Sequence, residues 1–376
     1  QTPVKMKIYT QFGPKDTLLS PMDSILYHKT ILHASMMSMD PRTGHVKAWV
    51  GGIDYKYFQY DNVYQSRRQV GSTFKPIVYA TALRMGKKPC DPVEVSSSCI
   101  TMPNGQRWCP SGGGAGKYAM NRALAASVNI VAAQLIADYG VDAVIALARN
   151  LGVKSEIPEM YSIALGAAQL SLYEMMGVNG AFVNNGMYIE PTFLLRIEDR
   201  NGNLIFESDP QINQALDPTV AYTLVNMMKG VCSFGTASRI RGRQPYGNIK
   251  YPVAGKTGTT QNNTDGWFIG LTPDLVTGVW VGAQDPTIRF ASTGLGQGAN
   301  TALPIFGYYM NKVYANNEII ISREDFRKPM DFDTLKFDCN VKGSSAVFSE
   351  DIWEESDDDI YQNGEMLMNI DSTNNE

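Results

Sequence analysis

The distribution of apolar and polar residues divides the chain into strand-like ends and a helical middle. Residues 35–52, SMMSMDPRTGHVKAWVGG, are two strand-like runs around an Asp40-Pro41-Arg42-Thr43-Gly44 turn, and Gly51-Gly52 ends the second. Residues 251–283 hold three β-rich runs, YPVAGKTGT, WFIGLT and LVTGVWVG. Turn-like Gln261–Gly266 and Pro273-Asp274 separate them, which predicts an antiparallel meander. Between these ends, residues 72–85 predict a helix. Pro76 is tolerated only in a first turn, so that helix starts within a residue or two of Ser72, and Gly86 stops it. Residues 89–120 are rich in Gly, Pro and Ser and predict an irregular loop. Ala123 to Tyr139 is helical or nearly so with Gly140 after it, and 142–150 is another short helix. Asp217-Pro218 is an N-cap followed by Pro at the first position of a helix running to Gly230. Helices in the middle and strands at both ends indicate an α+β fold, and the chain ends must meet if residues 35–52 join the 251–283 sheet.

Residues 1–34 carry turn signals at Gly13-Pro14 and Pro21-Met22 and are expected to be a connector from an upstream region. A domain is expected over 35–325. Residues 326–376 form an extension that turns acidic and Asn/Ser-rich after about 345, a composition that predicts disorder, although Trp353, Ile360 and Met366–Ile370 leave room for a docked peptide. The chain begins at Gln1 without an initiator Met, a basic n-region or a signal-like apolar core, and is read as a piece of a longer protein. No run of 18 apolar residues is present.

Charge and cysteine usage narrow the chemistry. The net charge is −4, but residues 350–376 hold ten acidic side chains and no Lys or Arg, so the rest of the chain carries +6. No basic run is interleaved with stacking aromatics, which argues against nucleic acid as a partner. A mildly basic body suits an anionic substrate such as a peptide carboxylate. The five cysteines form no C-x-x-C pair and the three histidines, His28, His33 and His45, lie in the first 45 residues, so no metal site is expected. Cys99 and Cys109 flank a Pro103-Asn104-Gly105 turn. A hairpin there would set them face to face as a disulfide requires, given an oxidising compartment; two small buried thiols is the other reading.

Three short motifs carry candidate chemistry. In Ser72-Thr73-Phe74-Lys75, helical spacing puts the hydroxyl beside the amine. A serine needs a base to become a nucleophile, and a lysine can be that base where burial or nearby positive charge favours its neutral form. Alone, S-x-x-K occurs roughly once by chance in a chain this long. Ser127-Val128-Asn129 interrupts the apolar stretch ALAASVNIVAAQL, so its polar groups need partners, either in a site or on the helix backbone itself. Lys256-Thr257-Gly258-Thr259-Thr260 lies on the first meander strand. A lysine with hydroxyls can bind a carboxylate, and a strand glycine often marks close approach by a ligand or backbone. Alternation puts Lys256 and Gly258 on one face and Thr257 and Thr259 on the other, so both sets reach one ligand only if the strand borders a cleft.

S-x-x-K, S-x-N and K-T-G in that order form the known signature of penicillin-binding proteins and class A β-lactamases. Over about residues 35–310 the chain resembles the transpeptidase domain of class A penicillin-binding proteins. The wording around the motifs matches too: MDPRTGHVKAWVGG, RRQVGSTFKP and GKTGTTQNNTDGWFIGLTPD. The resemblance implies a five-stranded antiparallel sheet flanked by helices, with a cleft at its edge strand and no cofactor. It implies Ser72 as nucleophile toward a D-Ala-D-Ala stem peptide of peptidoglycan, Lys75 as base, Ser127 as proton relay and Asn129 as holder of Lys75 and the substrate amide. Lys256, Thr257, Gly258 and Thr259 would bind the terminal carboxylate, and the N–H groups of Ser72 and Thr259 would form the oxyanion hole. β-Lactams would acylate the same serine. The family carries an upstream glycosyltransferase domain and a membrane anchor and works outside the cytoplasmic membrane.

The same motifs also serve D,D-carboxypeptidases, β-lactam sensors and β-lactamases. A β-lactamase needs a deacylating carboxylate, and in LGAAQLSLYEMM the one candidate is Glu174, where Ser171-Leu172-Tyr173-Glu174 reads as a capping box. A Ser-His-Asp hydrolase is disfavoured because no G-x-S-x-G elbow surrounds Ser72.

Overall fold

A computed structural model describes residues 2–102 and 105–332. Pro103 and Asn104 of the expected turn, and the acidic segment beyond 345, lie outside the described residues. Five strands build the central sheet: β1 Leu32–Met39, β2 Val46–Val50, β3 Ala254–Thr259, β4 Asp265–Leu271 and β5 Val276–Ala283. Their order is β3-β4-β5-β1-β2, and every neighbouring pair is antiparallel. The chain ends therefore meet at the β5–β1 junction, where Thr277 pairs with Ser38 and the two buried hydroxyls lie 2.8 Å apart.

Seven helices matter for the site: α1 Lys75–Arg84, α2 Met120–Ala125, α3 Asn129–Tyr139, α4 Val141–Asn150, α5 Leu172–Val183, α6 Pro218–Ser233 and α7 Gly298–Ala315. Strand periodicity sorts the sheet's side chains into two cores. Trp267, Ile269 and Leu271 of β4 face the larger core with α1, α3, α5 and α6. Phe268, between them, packs with Leu303, Phe306 and Met310 of α7 on the other face. Because both faces are covered, β4 and β5 are buried along their whole length.

The helix ends follow the caps written in the sequence. Asp217 accepts from Thr219 N at 2.8 Å, with Pro218 opening α6, which runs three residues past Gly230. Ser171 and Glu174 form the complete capping box of α5. Three expectations change. The 123–139 stretch is two helices with a break at 126–128. The 89–120 loop carries two short hairpins, Pro92–Val95 with Gly116–Ala119 and Ile100–Thr101 with Arg107–Trp108. Cys99 and Cys109 flank the second and are joined as a disulfide. Residues 1–34 are structured as well, with a Val4–Ile8/Lys15–Leu19 hairpin and a Pro21–Lys29 helix.

Candidate active site

Ser72 sits in a single 3-10 turn, Gly71–Phe74, that runs straight into α1. Pro76 falls in the first turn of α1, where its missing N–H costs nothing. Gly71 has φ +52°, and a Cβ there would lie 2.7 Å from Thr259 O, so only glycine lets this turn sit against β3. Ser72 is half-buried while Lys75 is completely buried. The three hydrogen bonds of Lys75 Nζ go to Ser127 O, Ser127 Oγ at 3.1 Å and Asn129 Oδ1 at 2.7 Å, and none to Ser72.

Ser127 lies in the break between α2 and α3, not within a helix, and it adopts a left-handed φ of +58°. That conformation costs a non-glycine residue about 1–2 kcal/mol. Tertiary contacts hold it there. Thr236 N donates to Ala125 O at 3.2 Å, and a Cβ on Gly235 would sit 2.3 Å from the same carbonyl. On the other side Asn129 Nδ2 donates to Ser111 O at 2.7 Å, which leaves its carbonyl oxygen aimed at Lys75.

β3 is an edge strand, so both of its side-chain sets can border one cleft. Lys256 is fully buried, and its Nζ donates to Ser127 Oγ at 2.8 Å and to Thr257 O at 3.1 Å. Gly258 packs against the nucleophile turn, where a Cβ would lie 2.8 Å from Thr73 Cγ2 and 2.9 Å from Val70 O. Thr257 Oγ1 lies 2.6 Å from Thr236 Oγ1, and Thr259 Oγ1 accepts from Gly298 N at 3.2 Å. The Thr259 hydroxyl proton is therefore still available to an incoming acceptor.

Ser127 Oγ stands between two buried amines. Burial lowers both pKa values, since neither ammonium is solvated. Lys256 is brought down to about 7, and Lys75 well below its ordinary value by burial and then by Lys256. Lys75 is thus the amine whose neutral form is favoured by burial and by the neighbouring Lys256. A neutral amine has two N–H donors and one lone pair. The donors are taken by Ser127 O and Asn129 Oδ1, so in the third contact, at 3.1 Å, the Ser127 hydroxyl donates to the lone pair.

Glu174 belongs to another network. Its carboxylate accepts from Lys154 N at 3.0 Å, Ser155 N at 2.7 Å and Ser171 N at 2.9 Å, and pairs with Arg67 Nε at 3.7 Å. Burial alone would raise its pKa, but hydrogen bonds from Ser171 and Ser155 outweigh that and leave it lowered.

Every residue singled out around the three motifs is therefore gathered at one edge of the sheet. Sequence reasoning missed Ser111, Gly235, Thr236 and Gly298, which contribute backbone groups or one hydroxyl from distant segments and carry no local signal. An α+β fold with a serine, two desolvated amines and an edge strand bearing hydroxyls defines a serine acyl-transferase. The model of the penicillin-binding protein transpeptidase domain matches residues 34–303, and that of the penicillin-binding protein middle domain matches residues 1–32. The chain belongs to the penicillin-binding protein transpeptidase family. It is 34% identical over 294 residues to penicillin-binding protein 1A of Neisseria meningitidis, covering 74% of this chain and 36% of that protein. To penicillin-binding protein 1A of Aquifex aeolicus it is 33% identical over 308 residues, covering 79% and 40%. The chain thus spans little more than a third of the length of these curated relatives. Among solved structures, PonA1 of Mycobacterium tuberculosis in complex with penicillin V aligns with a TM-score of 0.67 at 26% identity, over 80% of this chain and 82% of that one. Penicillin-binding protein 1A of Haemophilus influenzae aligns at 0.68 and 24% identity, over 77% and 49%, a likeness of fold.

Proposed function

We propose that this domain is a D,D-transpeptidase that cross-links peptidoglycan stem peptides through an acyl-enzyme on Ser72. The observation that carries the proposal is the hydrogen-bonded array Lys75–Ser127–Lys256, buried beside a half-exposed serine. Ser72 Oγ attacks the penultimate D-Ala carbonyl and its proton passes to the Lys75 lone pair. The proton then moves to the leaving amine through Ser127, which lies between the two amines. The C–N bond to the terminal D-Ala breaks, an ester to Ser72 forms, and an amine from a second peptide takes the acyl group. The developing oxyanion meets the N–H groups of Ser72 and Thr259, which the close Gly71–Thr259 contact brings together. The terminal carboxylate is held by the Thr259 hydroxyl, by the hydroxyl pair Thr257–Thr236 and by the charge of Lys256 when protonated.

The parent protein, on this reading, adds a glycosyltransferase domain and a membrane anchor upstream and works on the outer side of the cytoplasmic membrane. β-Lactams inhibit it by acylating Ser72, as suits a likeness to a structure solved with penicillin V. The test is incubation with a D-Ala-D-Ala-terminated peptide and an amine acceptor. Release of D-Ala with formation of the aminolysis product is expected, and Ser72→Ala abolishes both. Hydrolysis alone, with no aminolysis at any acceptor concentration, would mark a carboxypeptidase instead.

A further inference from the structure

The orientation of the base depends on a carbonyl from a glycine-rich loop. Asn129 Nδ2 donates to Ser111 O at 2.7 Å, and Asn129 Oδ1 accepts from Lys75 Nζ at 2.7 Å. An amide carries donors at one end and an acceptor at the other. The Ser111 carbonyl therefore decides which end meets Lys75. With the amide reversed, two acceptors would face each other at Ser111 and donors would crowd at Lys75. The next residue of α3 joins in, since Ile130 N donates to Gly112 O at 3.4 Å.

That loop has no stiffness of its own. Ser111 is followed by Gly112-Gly113-Gly114, the most freely rotating backbone available. Gly112 and Gly113 have φ of +84° and +112°, and a Cβ on Gly113 would lie 2.5 Å from Ile130 Cγ2. The glycines let the loop touch the first turn of α3 but do not keep it there, and Ser111 and Gly112 are exposed, so burial does not hold them either. Two anchors bracket the segment. Downstream, Tyr118 Oη donates to Gly114 O at 3.0 Å. Upstream, Cys109 is joined to Cys99, whose neighbour Ile100 is buried in the larger core. On the other strand Arg107 and Cys109 are exposed and Trp108 is half-buried. The ladder between these strands is two residue pairs long, too short to stand alone. The disulfide thus carries the fixed position of Ile100 across to Cys109, within about 7 Å of Ser111 along the Cα trace. Pro110, buried and fixed in φ, makes that last step stiff. We propose that the Cys99–Cys109 disulfide is a positioning clamp for the acyl-transfer site: through Ser111 it holds the Asn129 amide with its oxygen on Lys75. The inference rests on the reading of Ser72 and Lys75 as nucleophile and base. The clamp acts through Asn129 and not on the reacting atoms. Because Asn129 Oδ1 accepts from Lys75, it favours the protonated amine, and releasing the clamp lowers the Lys75 pKa further.

The test compares four proteins by stopped-flow acylation with a chromogenic penicillin: the parent, Cys99→Ser/Cys109→Ser, Asn129→Ala, and all three substitutions together. Replacing both cysteines leaves no odd thiol of the pair to exchange. Opening the clamp is expected to slow acylation by about tenfold or more, and to move the acid limb of the pH profile to lower pH, in the same direction as Asn129→Ala. In the Asn129→Ala background the cysteine substitutions should cost less than about twofold, since two links of one chain of contacts do not add. Gly113→Ala keeps the disulfide but presses the loop away from Ile130, and it should slow acylation too; it carries the test if the cysteine variant does not fold. Acylation by the cysteine variant or by Gly113→Ala within about twofold of the parent would overturn the proposal. So would an unmoved acid limb, or a loss that persists in full once the Asn129 amide is gone. A parent chain that takes no adduct on Ser72 would instead overturn the acyl-serine reading on which the clamp rests.

Discussion

Gly258→Ala tests whether the closeness of β3 to the nucleophile turn matters for chemistry. The added Cβ would meet Thr73 Cγ2 at 2.8 Å, Val70 O at 2.9 Å and Trp267 Cβ at 3.0 Å. Two of these belong to the segment carrying Ser72 and the third to β4, so neither side can yield without moving the site. Overpacking of this kind costs about 1–3 kcal/mol, and for a domain of this size each kcal/mol lowers Tm by about 2–4 °C. Stability of that order leaves the protein folded at 25 °C. The site suffers more: a displacement of about 1 Å at a reacting group costs about 10²-fold in rate. Stopped-flow acylation by a chromogenic penicillin should therefore slow by about 10²-fold, with a Tm lowered by several degrees. Gly294→Ala is the control, because its Cβ would meet nothing closer than 3.8 Å, and it should be silent. Acylation by Gly258→Ala within about threefold of the parent at unchanged Tm would refute the reasoning.

Three further outcomes follow from the same geometry. Lys75 is held well below 10.5 by burial and by Lys256, so acylation should rise with pH through that lowered value and be lost below it; Lys75→Ala should flatten the profile and cost about 10²–10⁴-fold, and a limb centred near 10.5 would contradict the neutral-base assignment. Lys256, at about 7 folded against 10.5 unfolded, leaves the unfolded chain with the extra proton between those values, so stability should climb with pH across that window, and Lys256→Met should make that climb shallower, leaving the share due to Lys75. Glu174→Gln turns an NH₂ toward backbone donors and should cost about 1–3 kcal/mol in denaturant unfolding while leaving the lifetime of the acyl-enzyme unchanged; a tenfold change in that lifetime would make Glu174 part of the deacylation chemistry.

The sheet and the nucleophile turn were legible because their signals are local. Pro76 and Gly86 bound α1, Asp217-Pro218 opens α6, and the turn at Asp40–Gly44 joins β1 to β2. The three motifs named the amines and hydroxyls by type and order. The break at Ser127 was not legible. Nothing in ALAASVNIVAAQL except its two polar residues opposes a continuous helix, and the left-handed serine is held by Gly235, Thr236 and Lys75 from far along the chain. Thr236 was invisible for the same reason, since its role follows from standing 2.6 Å from Thr257.

Intact-mass measurement after exposure to benzylpenicillin tests the central claim most directly. One adduct per chain is expected, mapped to the peptide that contains Ser72, stable over minutes and absent from Ser72→Ala. A label on any other serine, or free protein recovered within seconds, would contradict the account.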